Sequence, residues 1–340
     1  MKQGCIAALC LALLLALLCG CAASAPSENA ENSIDFYAMD TYMTVQAYGA
    51  DDALLREAAD CVNDLDARLS VTREDSEIAR LNREGHVSLS PDTAALLSDA
   101  LAVCERTHGA LDVTVYPVVR AWGFTTGEYR VPSDAELDKL LPLVDYRAVS
   151  LDGGEVTLPQ GAMIDLGSVA KGYAGDRIAA LLREGGVRSA LLSLGGNIQT
   201  VGHKPDGSDW RIAVRAPQGD GYLGVAEVAD KAVVTSGGYE RYFVDENGET
   251  RWHIMDPATG MPAKSGLVSV TVVGDEGLTC DALSTALFTM GLDKAADFWR
   301  QSRDFEMLLL TEDGALYATP GLAACFTPER GCELQVIGDD

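Results

Sequence analysis

Ser168-Val169-Ala170-Lys171-Gly172-Tyr173-Ala174-Gly175-Asp176-Arg177-Ile178-Ala179-Ala180-Leu181-Leu182-Arg183-Glu184-Gly185-Gly186 runs directly into Val187-Arg188-Ser189-Ala190-Leu191-Leu192-Ser193-Leu194-Gly195-Gly196-Asn197. Ser168 to Glu184 reads as a helix stopped by the Gly185-Gly186 pair, since glycine ends a helix at least steric cost. Val187 to Leu194 then reads as a strand ending in a glycine turn. More β-branched runs follow at Arg211 to Ala216, Val225 to Thr235 and Leu267 to Val273. Tyr239 to Val244 and Thr250 to Met255 flank Asn247-Gly248, a hairpin signal. Strands mixed with helices without regular alternation predict an α+β fold rather than a doubly wound one.

The first half is helical. Leu54, Ala58, Val62, Leu65 and Leu69 recur at helical spacing within Asp51 to Leu69. Ser90-Pro91 starts a helix running towards His108-Gly109, and Ser133 with Glu136 predicts a capping box for a short helix to about Leu141. No repeat or low-complexity linker divides the chain.

At the N-terminus, Met1-Lys2 precedes an apolar run from Ile6 to Leu18 and then Leu18-Cys19-Gly20-Cys21. The run is too short for a stable span and has the layout of an export signal, residues 1–20. Its Leu-x-Gly-Cys ending resembles a bacterial lipobox, which makes Cys21 the expected lipidated residue. Residues 21–33 are small and polar, as in a tether, with one domain expected over 34–340. The expected location is the extracytoplasmic face of the cell membrane, held there by lipid.

The net charge of −25 disfavours nucleic acid as a partner, because phosphate backbones reward basic surfaces. Cys325 and Cys332 close a short loop and form the one pair expected to be bridged in an oxidising compartment.

Two glycine turns have the makings of a phosphate cradle. Asp165-Leu166-Gly167-Ser168-Val169-Ala170-Lys171-Gly172 opens a helix whose free N–H groups favour an anion, with Lys171 adding charge. Leu194-Gly195-Gly196-Asn197 allows close backbone approach. Neither fits the phosphate-loop or dinucleotide pattern. If Gly277 to Gly291 is helical, Asp281 and Thr285 lie one turn apart, two hard oxygen donors suited to Mg²⁺.

Taken in order, these segments resemble the ApbE family of FAD:protein FMN transferases. The resemblance rests on Ala38-Met39-Asp40-Thr41, Ser76 to Asn82, Gly109-Ala110-Leu111-Asp112 through Pro117 with Trp122-Gly123-Phe124, and Ile164 to Tyr173. It continues through Leu194 to Asn197, Thr235 to Tyr242, His253-Ile254-Met255-Asp256-Pro257-Ala258-Thr259-Gly260 and Asp281-Ala282-Leu283-Ser284-Thr285. It implies mixed, largely antiparallel sheets with packed helices. The implied activity is transfer of FMN from FAD to a Thr or Ser hydroxyl of an extracytoplasmic redox protein, with release of AMP.

By the same resemblance, Asp281, Thr285 and Ser168 hold Mg²⁺, while Met39, Ala110, Leu111, Asp112, Asp165, Lys171 and Ile254 contact FAD. Lys171 would also assist the chemistry electrostatically. His253 is the first candidate for the base, because imidazole titrates near neutral pH. The chain departs from the family at Asp40, where glycine is usual, at Thr72, where an aromatic is common nearby, and at Gly238, where many members carry Asp. Two other readings share the same residues: an FAD pyrophosphatase yielding FMN and AMP, and a non-enzymatic lipid-anchored flavin-binding protein.

Overall fold

The structure is a computed structural model that describes residues 29–217, 219 and 221–339. The expected signal segment and Cys21 lie outside the described residues. From the N-terminal side the chain forms β1 (Glu31–Ala38), β2 (Thr41–Tyr48), α1 (Asp52–Leu69), α2 (Glu77–Glu84), β3 (His86–Ser88), α3 (Pro91–Arg106), α4 (Tyr116–Ala121), α5 (Asp134–Leu140), β4 (Ser150–Asp152) and β5 (Glu155–Thr157). After α6 (Ala170–Glu184) come β6 (Ala190–Leu194), β7 (Asn197–Val201), β8 (Trp210–Arg215), β9 (Tyr222–Val228), β10 (Ala232–Gly237), β11 (Tyr242–Val244), β12 (Thr250–Trp252) and β13 (Leu267–Gly274). The chain closes with α7 (Gly277–Met290), α8 (Leu292–Ser302), β14 (Glu306–Thr311), β15 (Leu316–Ala318), α9 (Pro320–Ala323), β16 (Phe326–Pro328) and β17 (Leu334–Val336).

Nine strands make the central sheet, in the order β1-β2-β6-β7-β10-β13-β14-β15-β17, antiparallel except where β15 meets β17. Alternate residues of its middle strands point to opposite faces, and both faces are covered. Val234, Val270, Val272, Met307 and Leu309 join the core beneath the helices, with Ile178, Leu182, Leu283 and Phe288. Val233, Val273, Leu308 and Leu310 face the other way onto Trp210, Ile212, Val228 and Phe326 of the small sheet β16-β9-β8. The expected α+β architecture is therefore present, with one helical face and one sheet-covered face. No helix among the described residues is long and apolar enough to cross a membrane.

Several local expectations change. β1 begins at Glu31, so residues 31–33 of the expected tether are strand, paired with residues 46–48. The run from Val225 to Thr235 is two strands, broken at Asp230, whose φ of 51° turns the chain. Ser133 makes no side-chain cap, and the Glu136 carboxylate that would form the other half of the box pairs with Arg130 instead. Cys325 and Cys332 are free thiols, with Cys325 Sγ directed at the Gly321 and Leu322 carbonyls at the end of α9.

The feature that positions the site is the crossing of α6 and α7. A Cβ on Gly172 would lie 2.1 Å from the Gly277 carbonyl oxygen and one on Gly277 2.4 Å from that of Gly172, so the two backbones touch. Helix α7 lacks a side-chain cap of its own at Glu276. Asp176, one turn along α6 from Gly172, supplies it: its carboxylate accepts from Gly277 N (2.7 Å) and Leu278 N (2.9 Å), and from Gln199 Nε2 (2.8 Å). Asp176→Ala is expected to lower unfolding free energy by about 2 kcal/mol in urea titration, the usual scale for a lost cap with buried donors left unpaired.

Candidate active site

The site lies at the end of the sheet where three turns meet. The β1–β2 loop is Met39-Asp40, both left-handed (φ 48° and 58°), as a two-residue turn between twisted strands requires. The β6–β7 loop is Gly195-Gly196 (φ 60° and 97°), and a Cβ on Gly195 would lie 2.3 Å from the Thr41 side chain, so the two tips pack together. Beyond β10, the segment at Arg241 crosses the same end: its guanidinium lies 3.4 Å from Asp40 Oδ2, and its carbonyl accepts the His253 N–H at 3.1 Å.

Around these turns a charged cluster forms. Asp281 is buried in α7, and its Oδ2 accepts from Gly172 N at 2.9 Å. Burial pushes its carboxyl pKa up, opposed by the Lys171 ammonium and the Gly172 N–H. Asp165 accepts from Gly167 N (2.8 Å) and is likewise raised by burial, against that N–H, Arg241 and Lys171. His253 is half-buried, with Nδ1 3.2 Å from the Arg241 carbonyl and its ring edge-on to Phe124. Burial lowers its pKa to about 4, against the hydrogen bond to the Arg241 carbonyl and with smaller help from the Arg241 and Lys171 charges. The expectation that His253 titrates near neutrality is therefore corrected: the ring is neutral, available to accept a proton but weakly basic until anions surround it.

Other residues are placed less directly. Met39 is half-buried at the hairpin tip and packs on the main core. Ala110 and Leu111 follow the left-handed His108-Gly109 turn that ends α3. Asp112 accepts from Thr114 N, Thr114 Oγ1 and Tyr146 N, so its carboxylate shapes its own turn while Val113 O, next to it, receives Asp165 N at 2.9 Å. Ile254 is buried, its carbonyl bonded by Ala263 N. At Gly238 a Cβ would meet the Trp252 ring at 3.0 Å, so a carboxylate there would require the indole to move.

The proposed metal donors can be tested on this geometry. Thr285 Oγ1 lies 3.3 Å from Ser236 Oγ, itself 2.7 Å from Ser284 Oγ, and Ser168 sits in the turn one residue before the cap of α6. Asn197 directs its buried side chain at the Asp281 carboxylate and works against the burial effect there, although its Nδ2 completes no well-formed hydrogen bond among the described residues. A desolvated carboxylate with hydroxyls one turn away fits a hard cation. Among the described residues no group of three or more His, Cys, Asp or Glu side chains is placed to hold a metal ion by itself.

Sequence reasoning gave no role to Arg241, Asp176, Ser236 or Asn197. Asp176 had a local signal, since Gly172, Gly175 and Asp176 share one helical face. Arg241 had none, because its partners come from three distant segments.

Comparison with known proteins follows the same outline. The sequence profile of the ApbE family matches residues 39–309. An FAD:protein FMN transferase of Haemophilus influenzae is 33% identical over 267 residues, 74% of this chain and 77% of that one. Another from Treponema pallidum is 33% identical over 291 residues, 79% and 80% of the two chains. Among solved structures, the ApbE protein of Thermotoga maritima superposes with a TM-score of 0.82 at 31% identity, covering 87% of this chain and 99% of its own. The flavin transferase ApbE of Vibrio cholerae gives 0.77 at 28% identity, covering 87% and 99%. With four-fifths of its length inside the family profile and the fold shared over 87% of it, the chain belongs to the ApbE family.

Proposed function

We propose that this protein transfers FMN from FAD to a Thr or Ser hydroxyl of an acceptor protein in a Mg²⁺-dependent reaction that releases AMP. The observation that carries the reading is that the Lys171 ammonium acts electrostatically on Asp165, His253 and Asp281 alike, in a chain whose relatives are FAD:protein FMN transferases. Mg²⁺, held by Asp281 and Thr285 with Ser168 nearby, would supply charge neutralisation on the diphosphate. The acceptor oxygen bonds to the riboflavin-side phosphorus, the anhydride bond breaks, and AMP departs with its electron pair. His253, neutral before substrate binds, takes the hydroxyl proton. Lys171 and the start of α6 stabilise charge on the phosphate oxygens.

Met39, Ala110, Leu111, Asp112, Asp165 and Ile254 form the proposed FAD contacts. Lipid attachment at Cys21 would hold the enzyme on the outer face of the cell membrane, where its acceptors are flavin-bearing redox proteins. The reading is tested by mass spectrometry of a peptide containing Asp-x-x-Thr-Gly-Ala-Thr after incubation with FAD and Mg²⁺. The wild-type protein should attach FMN and release AMP together. AMP accumulating while flavin stays free would instead identify a hydrolase.

His253→Ala is expected to slow transfer by ~10²–10⁴-fold, the usual share of a general base. Since the free-enzyme ring titrates at about 4, kcat/KM for FAD should stay level from about pH 8 to about pH 6. A fall centred near the ordinary histidine value would assign the proton to another group.

A further inference from the structure

The sheet has an open edge that leads into the site. β1 pairs with β2 alone, in unbroken register from Glu31↔Tyr48 to Ala38↔Thr41, and the two-residue loop makes Ala38 and Thr41 a hydrogen-bonded pair. Alternation then turns the N–H and C=O groups of Asn32, Ile34, Phe36 and Ala38 towards β2, and those of Glu31, Ser33, Asp35 and Tyr37 outward. Ser33 N agrees, bonding only its neighbour's Asn32 Oδ1. No backbone group among the described residues pairs with the outward groups of Asp35 or Tyr37. Such edges are normally blunted by proline, charge, a bulge or a covering segment; β1 has no proline, lysine or bulge, carries Glu31 and Asp35, and packs against α1, which makes no backbone bond to its outward groups.

We propose that this edge is the docking strand for the acceptor protein, whose hydroxyl-bearing segment adds to β1 as an extended strand. The inference rests on the transferase reading, because a protein substrate must deliver a hydroxyl into the cluster on a flexible, extended stretch. β1 is the longest open edge and ends where the cluster begins: Asp40, two residues past its last strand residue, contacts Arg241. The opposite edge, β17, is eight strands away, roughly 40 Å at the usual inter-strand spacing. Main-chain pairing along β1 gives affinity with little sequence demand, leaving Tyr37 and Tyr42, 63% and 67% exposed beside the turn, to meet side chains near the acceptor hydroxyl.

The test uses the outward geometry. Asp35→Pro removes one outward N–H and no ladder bond, a substitution that edge strands tolerate. Asp35→Ala removes the carboxylate that accepts from Thr44 Oγ1 but keeps the N–H. With the Thr-Gly-Ala-Thr peptide as acceptor, Asp35→Pro is expected to lose at least tenfold in kcat/KM for the peptide, with FAD affinity unchanged and Asp35→Ala near wild type. Independently, hydrogen exchange of the FAD-free wild-type chain should show the Asp35 and Tyr37 amides slowed by the peptide. Wild-type kinetics in a folded Asp35→Pro protein, or amides unaffected by peptide, would overturn the proposal. Amides already protected in the free protein would overturn it too, and dependence on protein concentration would identify a second copy as the occupant. If the peptide protects β1 but never receives FMN, docking stands and the transferase reading fails.

Discussion

Asp281→Asn should abolish FMN transfer, by ~10³-fold or more, and at the same time make the metal-free protein more stable. The first effect follows from losing the carboxylate proposed to hold the cation, several kcal/mol of transition-state stabilisation. The second follows from burial. Because burial raises the folded-state pKa of Asp281, the folded chain holds the proton more tightly than the unfolded one. This group therefore favours folding below the unfolded pKa, and that contribution is lost as pH rises through the raised value. At neutral pH a bare buried carboxylate is a cost, which the amide avoids while still accepting from Gly172 N. Added Mg²⁺ should reverse the order. At a hundredfold excess over Kd it stabilises the wild type by about 2.7 kcal/mol, roughly 4–8 °C in Tm, and leaves the variant unmoved. Scanning calorimetry with and without Mg²⁺ reads this without any turnover. Equal shifts in both proteins would place the cation elsewhere.

Gly172→Ala is the second large effect. The added methyl would meet the Gly277 carbonyl oxygen at 2.1 Å, its carbon at 2.5 Å and Asp281 Cβ at 2.8 Å. Two of those atoms are backbone of a packed helix, so relief requires α6 and α7 to separate by about 1 Å, at a cost of about 3 kcal/mol. The same movement draws Asp281 away from Gly172 N, and a displacement of that size at a reacting centre costs about 10²-fold in rate. Gly175 provides the control. A Cβ there meets Gln199 Oε1 at 2.4 Å, the end of a buried side chain whose Nε2 is held by Asp176, so Gly175→Ala should cost about 1–2 kcal/mol through that bond while leaving Asp281 and FMN transfer near wild type. Urea unfolding and FMN transfer measured on both variants separate the two cases. Equal losses would show that the backbone contact does not position Asp281.

The sequence made the helices and inner strands legible because their signals are local. Asp51 caps α1 by accepting from Ala53 and Leu54 N–H groups, and Ala58, Val62, Leu65 and Leu69 line its buried face as their spacing predicts, while Leu55 is buried in place of the expected Leu54, which is half-buried. β13 was readable as a β-branched run because both its faces are buried. The β1–β2 hairpin escaped notice for the opposite reason. Its turn is Met39-Asp40, not asparagine or glycine, and its strand alternates exposed with half-buried side chains. In the site, Asp281, Lys171 and His253 stood in recognisable segments, whereas their mutual effects on protonation exist only in three dimensions. No spacing in the chain announces that the Arg241 carbonyl meets the His253 ring, or that Asp176 caps a helix 101 residues further on.

That borrowed cap has a temporal meaning. Since α7 begins on hydrogen bonds donated to a residue of α6, its first turn is secured only once the two helices have docked. Asp281 sits in the second turn, so if it holds the proposed cation, a chain still acquiring its shape would have no grip on a divalent ion. Competence to break a nucleotide thus arrives with the finished architecture, and an immature copy cannot squander flavin along the way.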